Sequence, residues 1–246
     1  MTLMPTQKKT ETKKLRNTDR LVNDEPFDPL HYENIGKMIR LQLADRPLLD
    51  LDNLEAVSGA GIYALYYIGE LDHYRPLVPS NAAEPTVPIY VGKAIPQGGR
   101  KGLQDLAKGK AKRSALAARL AKHRSKISNV VDLKTNEFKV RYLPLTPVWI
   151  ALGENALIRE FKPVWNVAVD GFGNNALGKG RIDQSPSAWD YLHRRKVVTA
   201  DTPVFDTAYE EMVGRVRRYF SDPAEIAHAL GFSDQDAIEN LSGATE

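Results

Sequence analysis

The sequence contains no cysteine in its 246 residues. That absence excludes disulfides, thiolate zinc sites and a cysteine nucleophile together, and it fits a reducing compartment. No run of apolar residues approaches the ~20 needed to cross a bilayer as a helix. The opening stretch, MTLMPTQKKTETKKLR, has no apolar centre of the kind that marks a secretion signal. No internal repeat is visible. These absences lead to the expectation of a cytoplasmic protein without membrane association. Net charge is also nearly lacking, with 34 Lys and Arg against 31 Asp and Glu, so the charge balance alone names no partner.

The distribution of charge says more. Between 100 and 126 there are ten Lys or Arg and one acid, Asp105, whereas 201–246 hold ten acids and three Arg. A basic middle and an acidic tail suggest one face built for a polyanion. Hydrophobic residues make up 42%, enough for a normal core, and the length allows one sizeable domain with extensions or two domains.

Along the chain, 1–24 are polar, basic and without periodicity, which predicts a loosely held arm. Ile35, Met38, Ile39 and Leu43 give 31–45 a helical pattern that stops before Pro47. The Tyr- and Ile-rich stretch 59–71 predicts a strand. The proline-rich 72–87 predicts a loop, and 87–93 a second strand pairing antiparallel with the first. Residues 95–112 are rich in Gly and Lys. A helix is predicted over 113–127, a strand over 137–143 and a helix over 148–161 that Pro163 ends. The Gly-rich 171–181 excludes regular structure, and two or three short helices follow in 207–241. The order mixes α and β with too few strands for a doubly wound sheet.

Polar residues then fall where apolar ones belong. On a wheel of 113–127, Leu116, Leu120 and Ile127 define the buried stripe. His123 lies in its middle and Arg119, four residues earlier, on its edge. Lys122, Arg124 and Lys126 are expected on other, solvated faces. The plain alternative for this pair is a core histidine bonded to a carbonyl beside an arginine reaching to water. On the wheel of 148–161, Ile150, Leu157, Ile158 and Phe161 mark the buried face, with Glu154 at its centre. A buried carboxylate must be protonated, paired or bound to a cation. An ion pair with Arg119 and a metal ligand are equally open on this ground. Tyr63 and Tyr90, one in each of the first two strands, are each individually more often packing residues.

Together, Gly61-Ile62-Tyr63, Ile89-Tyr90-Val91-Gly92-Lys93, Arg119, Glu154 and Lys162-Pro163-Val164-Trp165-Asn166 resemble the motif set of the GIY-YIG nucleases over about 59–168. A literal Tyr67-Ile68-Gly69 lies too close to Tyr63 to be the second strand. Tyr63 and Tyr90 are 27 positions apart, where most of that superfamily uses a shorter connection. With His123 and the Gly-rich segment after Asn166, this is similar to the type II restriction endonucleases, and most to the group recognising CCGCGG.

The resemblance implies an α+β fold with a small antiparallel or mixed sheet flanked by helices. It implies three regions: 1–50 as basic arm and helix, 51–200 as nuclease domain with DNA-reading insertions, and 201–246 as a helical acidic extension. It implies hydrolysis of double-stranded DNA by in-line attack of water, with Glu154 holding one magnesium per active site and manganese as a substitute. Arg119 would hold a phosphate oxygen, and Tyr63 would be general base, with His123 either accepting its proton or holding the water. Tyr90 would position the phosphate or share the base role, and Asn166 would orient the site.

Lys93, Arg100, Lys101, Lys108, Lys110, Lys112, Arg113, Lys179, Arg181, Arg194 and Arg195 are the candidate DNA contacts. The segments 72–87 and 181–196, the latter ending His193-Arg194-Arg195-Lys196, are candidate readers of bases. A palindromic site implies a homodimer cutting one strand per active site, and a restriction role implies a cognate DNA methyltransferase as genetic partner. The rivals are a repair or homing GIY-YIG nuclease, a catalytically inactive DNA-binding protein, and a structural protein with buried ion pairs.

Overall fold

Strand β2, Gly61–Tyr67, is buried at every one of its seven positions, so its two faces must both be covered. A strand covered on both sides reads as a continuous apolar run, without alternation. In the computed structural model, which describes residues 28–95, 114–173, 186–196 and 206–222, β2 lies inside a four-stranded antiparallel sheet of order β1-β4-β2-β3. The short β1 is Leu49–Asp50, β3 is Tyr90–Ala94 and β4 is Phe138–Pro144. The fold is α+β with helices on both faces, as expected.

One face carries Ile62, Ala64, Tyr66 and Val91. It is covered by α1, Tyr32–Ala44, and α4, Pro147–Phe161. Ile35, Ile39 and Leu43 of α1, spaced four apart, form its buried stripe against Ile150, Ala156 and Leu157 of α4. Pro147 starts α4, where its missing N–H is no loss. Lys162, in the left-handed region at φ 46°, ends it, and its carbonyl accepts a bond from the Tyr219 hydroxyl.

The other face carries Tyr63, Leu65, Tyr67 and Tyr90 and holds the larger core. Helix α3, Ala115–Ser128, is capped by the Ser114 hydroxyl, which accepts from the Ala117 N–H at 3.3 Å. It lays Leu116, Leu120, His123 and Ile127 on that face. The short helices α5, Val164–Val167, and α6, Ala188–Leu192, were not visible as periodic sequence; they add Trp165 and Trp189 to the same core. Helix α7, Asp206–Ser221, buries Val213, Val216 and Tyr219 there as well.

The expectation of a loop over 72–87 is corrected. A 3₁₀ turn, Asp72–Leu77, runs into α2, Val78–Asn81. Buried Asn81 replaces the missing ladder: its Nδ2 donates to the carbonyls of Tyr67 at 3.1 Å and Val87 at 2.9 Å. Its Oδ1 accepts from the N–H groups of Thr86 at 3.1 Å and Val87 at 3.0 Å. From β4, Arg141 donates to the carbonyls of Arg46, at 3.1 Å, and Pro85, at 2.5 Å, and to the Glu84 carboxylate at 2.8 Å. The predicted C-terminal helices over 223–241 lie outside the described residues, as do 1–27 and most of 95–112 and 171–181. Among the described residues no helix is long and apolar enough to cross a membrane.

Candidate active site

The two motif strands meet residue for residue. Tyr63 of β2 stands opposite Gly92 of β3, and a Cβ on Gly92 would sit 2.4 Å from the Tyr63 hydroxyl. The glycine is there because the phenol needs the space. Gly61 answers a similar demand from the other neighbour, since its Cβ would sit 2.1 Å from the Leu143 carbonyl oxygen on the β4 side. Tyr67 ends the same strand as Tyr63, so Tyr67-Ile68-Gly69 is not the second motif. The rings of Tyr63 and Tyr90 are 6.2 Å apart. Both are buried, and burial raises both phenol pKa values, Tyr63 well above the ordinary 10. For Tyr63 the charge of Tyr90 adds to the rise and the Arg119 guanidinium opposes it.

Helix α3 brings His123 onto these phenols. The Tyr63 hydroxyl and His123 Nε2 are 2.6 Å apart in a buried hydrogen bond. Burial first, then the charges of Arg119, Lys126 and Lys122, hold the imidazole well below its usual pKa. It is therefore neutral near pH 7, and with the proton on Nδ1 its Nε2 accepts from the phenol. The alternative of a histidine bonded to a carbonyl is thereby set aside at Nε2. Arg119 lies against both tyrosine hydroxyls and donates from Nη2 to the Gly173 carbonyl. Its side chain is part-buried rather than extended wholly into solvent.

Glu154, on α4, is only partly covered, its side chain 15% exposed, and not at the centre of a fully buried face. Ile158 and Phe161 are likewise half-buried. Its ion pair is not with Arg119. Lys93, next to Gly92 on β3, places Nζ 2.5 Å from Glu154 Oε2. Among the described residues no group of three or more His, Cys, Asp or Glu could hold a metal ion. A single carboxylate facing partly into solvent still suits magnesium, which keeps several waters and takes one or two carboxylates with phosphate oxygens.

Asn166 points its amide at the open edge of β3. Its Oδ1 accepts from the Val91 N–H at 2.8 Å and its Nδ2 donates to the Val91 carbonyl at 2.9 Å. With Trp165 N–H donating to the Ile89 carbonyl at 3.0 Å, it pairs an edge that would otherwise be bare.

Of the candidate DNA contacts, Arg100, Lys101, Lys108, Lys110, Lys112, Arg113, Lys179 and Arg181 lie outside the described residues. Arg194 lies over the Tyr209 ring at 5.3 Å. Arg195 is exposed, with Asp190 at 3.5 Å. His193 is corrected as a reader of bases: it is wholly buried, bonded to the Tyr74 hydroxyl at 2.8 Å and to Asp132 at 2.8 Å.

Two residues at the site escaped the sequence reading. Phe172 stacks on His123 with ring centroids 4.5 Å apart, a contact between distant segments that no periodicity signals. Lys126 was expected in solvent, yet its ammonium sits 4.3 Å from the Trp189 ring centroid. Its place three residues after His123 was the available signal, because such residues share a helix face.

Two phenols, a neutral imidazole, a guanidinium and a carboxylate–lysine pair thus converge where β2, β3, α3 and α4 meet. A family model described as the Eco29kI GIY-YIG domain matches residues 55–220. No curated protein matches the chain.

Proposed function

The chain belongs to the Eco29kI GIY-YIG family, a family of restriction-type endonucleases, and on that premise we propose that it cuts double-stranded DNA at a specific GC-rich palindrome such as CCGCGG. The observation that carries this reading is the 2.6 Å hydrogen bond between the Tyr63 hydroxyl and a neutral, buried His123 Nε2. A phenol raised by burial is a poor base alone. Joined to an imidazole that accepts its proton, it takes a proton from water without becoming a lasting phenolate. Tyr63 is then the contact to the attacking water and His123 the final acceptor.

Arg119 is assigned to the non-bridging oxygen of the scissile phosphate, where charge builds in the transition state. The fork that donates to the Gly173 carbonyl exchanges that oxygen for the phosphate's. Gly173 packs close over Tyr90, where a Cβ would lie 2.4 Å from the Tyr90 hydroxyl. Tyr90 then orients the phosphate, and Asn166 acts by fixing the β3 edge on which Tyr90 stands.

Glu154 is the residue that would hold magnesium, with manganese as a substitute; the ion, when bound, supplies charge neutralisation for the phosphate and leaving oxygen. Lys93, paired to that carboxylate in the free protein, would turn to the DNA backbone. The basic segment 100–113, Lys179, Arg181, Arg194 and Arg195 supply further phosphate contacts. A homodimer places one active site on each strand of a palindrome. A cognate methyltransferase protects the host DNA.

The test is cleavage of a mixed-sequence plasmid with magnesium by the wild-type chain and by Glu154→Gln. Discrete fragments from the wild type and none from the variant are expected, and the fragment ends give the site. No cutting by either, with DNA binding intact across several metals and salt levels, overturns the enzyme reading in favour of a DNA-binding module.

A further inference from the structure

Lys126 is a part-buried cation of α3 to which the site as described gives no role. Its side chain is 21% exposed. Nζ donates to the carbonyl oxygens of Gly171 at 2.9 Å and Phe172 at 3.3 Å, and it stands over the rings of Trp189 and Phe172, 4.3 and 5.6 Å from their centroids. The Asp190 carboxylate is farther off, its Oδ1 at 3.9 Å and nearer Arg195, at 3.5 Å, while its Oδ2 accepts from the Ser187 hydroxyl at 2.6 Å in capping α6. The ammonium is thus held mainly by two backbone carbonyls and two aromatic faces. Placing a cation there costs free energy, and burial, the largest cause, pushes its pKa down to about 8. An unbranched apolar side chain of the same length would fill the space without that cost.

Two things would be lost with it. One is the tether on the Gly171–Phe172 turn. Phe172 is 1% exposed; its ring lies nearly parallel to His123, at 17° and 4.5 Å, and edge-on to Tyr90, at 77° and 4.9 Å. The stack fixes the plane in which Nε2 meets the Tyr63 hydroxyl. The other is a positive charge beside the imidazole. His123 is faced by Tyr63 from β2 and Tyr90 from β3. From its own helix the charges of Arg119, Lys126 and Lys122 all oppose its protonation. The 3₁₀ turn packed on α3, Thr135–Glu137, brings Glu137, paired with Lys134 at 4.0 Å. Lys126 itself is acted on by Asp190, Arg195 and Arg119.

We propose that Lys126 is a positioning residue for the nuclease site: it fastens the Gly171–Phe172 turn so that Phe172 clamps His123, and its charge keeps that imidazole free to take the Tyr63 proton. The proposal rests on the nuclease reading given above. Its sign is definite. A cation beside His123 disfavours the imidazolium, so removing it makes the ring protonate at higher pH. The protonated ring cannot accept from Tyr63, and activity is lost on the acid side. Phe172 carries no charge, so Phe172→Leu, which keeps an apolar side chain over His123, lowers the rate without the charge-driven shift of the acid limb.

The experiment compares the full-length wild type with Lys126→Met, Lys126→Arg and Phe172→Leu. Single-turnover plasmid cleavage with magnesium is followed from acid to alkaline pH. The histidine ring C–H signals of the five histidines are titrated by NMR, with His123 identified by its loss in His123→Asn. For Lys126→Met we expect a rate at neutral pH lower by about tenfold or more, unchanged DNA affinity, and both the acid limb and the His123 midpoint moved to higher pH. Arginine restores all three, and Phe172→Leu slows cutting at every pH with the limb in place.

A folded Lys126→Met with wild-type rate, limb and midpoint overturns the proposal. So does a loss equal at all pH values with the His123 midpoint unmoved, which marks a merely structural lysine. If Lys126→Met does not fold, wild-type cutting by Phe172→Leu overturns the clamp. A wild type that cuts nothing removes the nuclease reading instead, and the NMR midpoints still decide whether Lys126 acts on His123.

Discussion

At the scale of single residues, the site depends on one hydroxyl and the space made for it. Tyr63 fits because Gly92 has no Cβ, which would lie 2.4 Å from the hydroxyl. Gly92→Ala must displace either the ring or β3. We expect cleavage to fall by about a hundredfold, while stability drops by only about 1–3 kcal/mol, the usual cost of overpacking. Rates alongside urea midpoints check this, and a Gly92→Ala protein that cuts at the wild-type rate contradicts it. His123 was legible in the sequence as a polar residue within an apolar stripe, where burial is costly without a purpose; Arg119 and Glu154, both part-buried, were legible from their place in the motif pattern. Lys126 carried only the weak signal of standing three residues after His123, because a lysine looks solvated until Trp189 and Phe172, far along the chain, are known to cover it.

At the scale of elements, strand β3 is the sheet edge, and Asn166 closes it. Both amide bonds to Val91 disappear in Asn166→Ala. Loss of about 1–3 kcal/mol is expected, since the Val91 N–H and C=O both lose the Asn166 amide, with faster exchange of the Val91 amide and slower cleavage by the loosened strand. Unchanged exchange at Val91 would show that Trp165 alone holds the edge. Strands β2, β3 and β4 and the four long helices α1, α3, α4 and α7 were readable to within a few residues, as periodicity and proline stops allow, whereas the two-residue β1 was not. The 72–87 segment was misread because its prolines and asparagine suggest a turn. Its order comes instead from long-range bonds, those of Asn81 to Tyr67 and of Arg141 to Pro85 and Glu84. Helices α5 and α6 were missed because four or five residues are too few to show a period.

At the scale of the whole molecule, buried neutral histidines tie stability to pH. His73, 6% exposed, is held down to about 4 by burial first and then by the charge of His193; His123 and His193 are lowered as well. The unfolded chain binds these protons from about pH 6.5 downward, the folded one only well below. Their effect on stability is therefore absent above about pH 6.5 and grows as the pH drops toward about 4. His73 alone contributes a loss of about 3 kcal/mol by the bottom of that window. Urea midpoints at pH 7.5 and 5 should differ accordingly, and His73→Leu should shrink the difference; a pH-independent midpoint contradicts the burial of these rings.

The proposed Lys and Arg contacts to phosphate predict a DNA affinity that falls steeply and linearly on a log–log salt plot. The central claim is that Tyr63 and His123 act as one proton-accepting unit, and a double-mutant cycle on single-turnover cleavage tests it most directly. Tyr63→Phe and His123→Ala are each expected to cost about 10²–10⁴-fold, and the double variant no more than the worse of the two, because a unit is lost only once. Losses that multiply in the double variant would mean the two residues work independently and would contradict the relay.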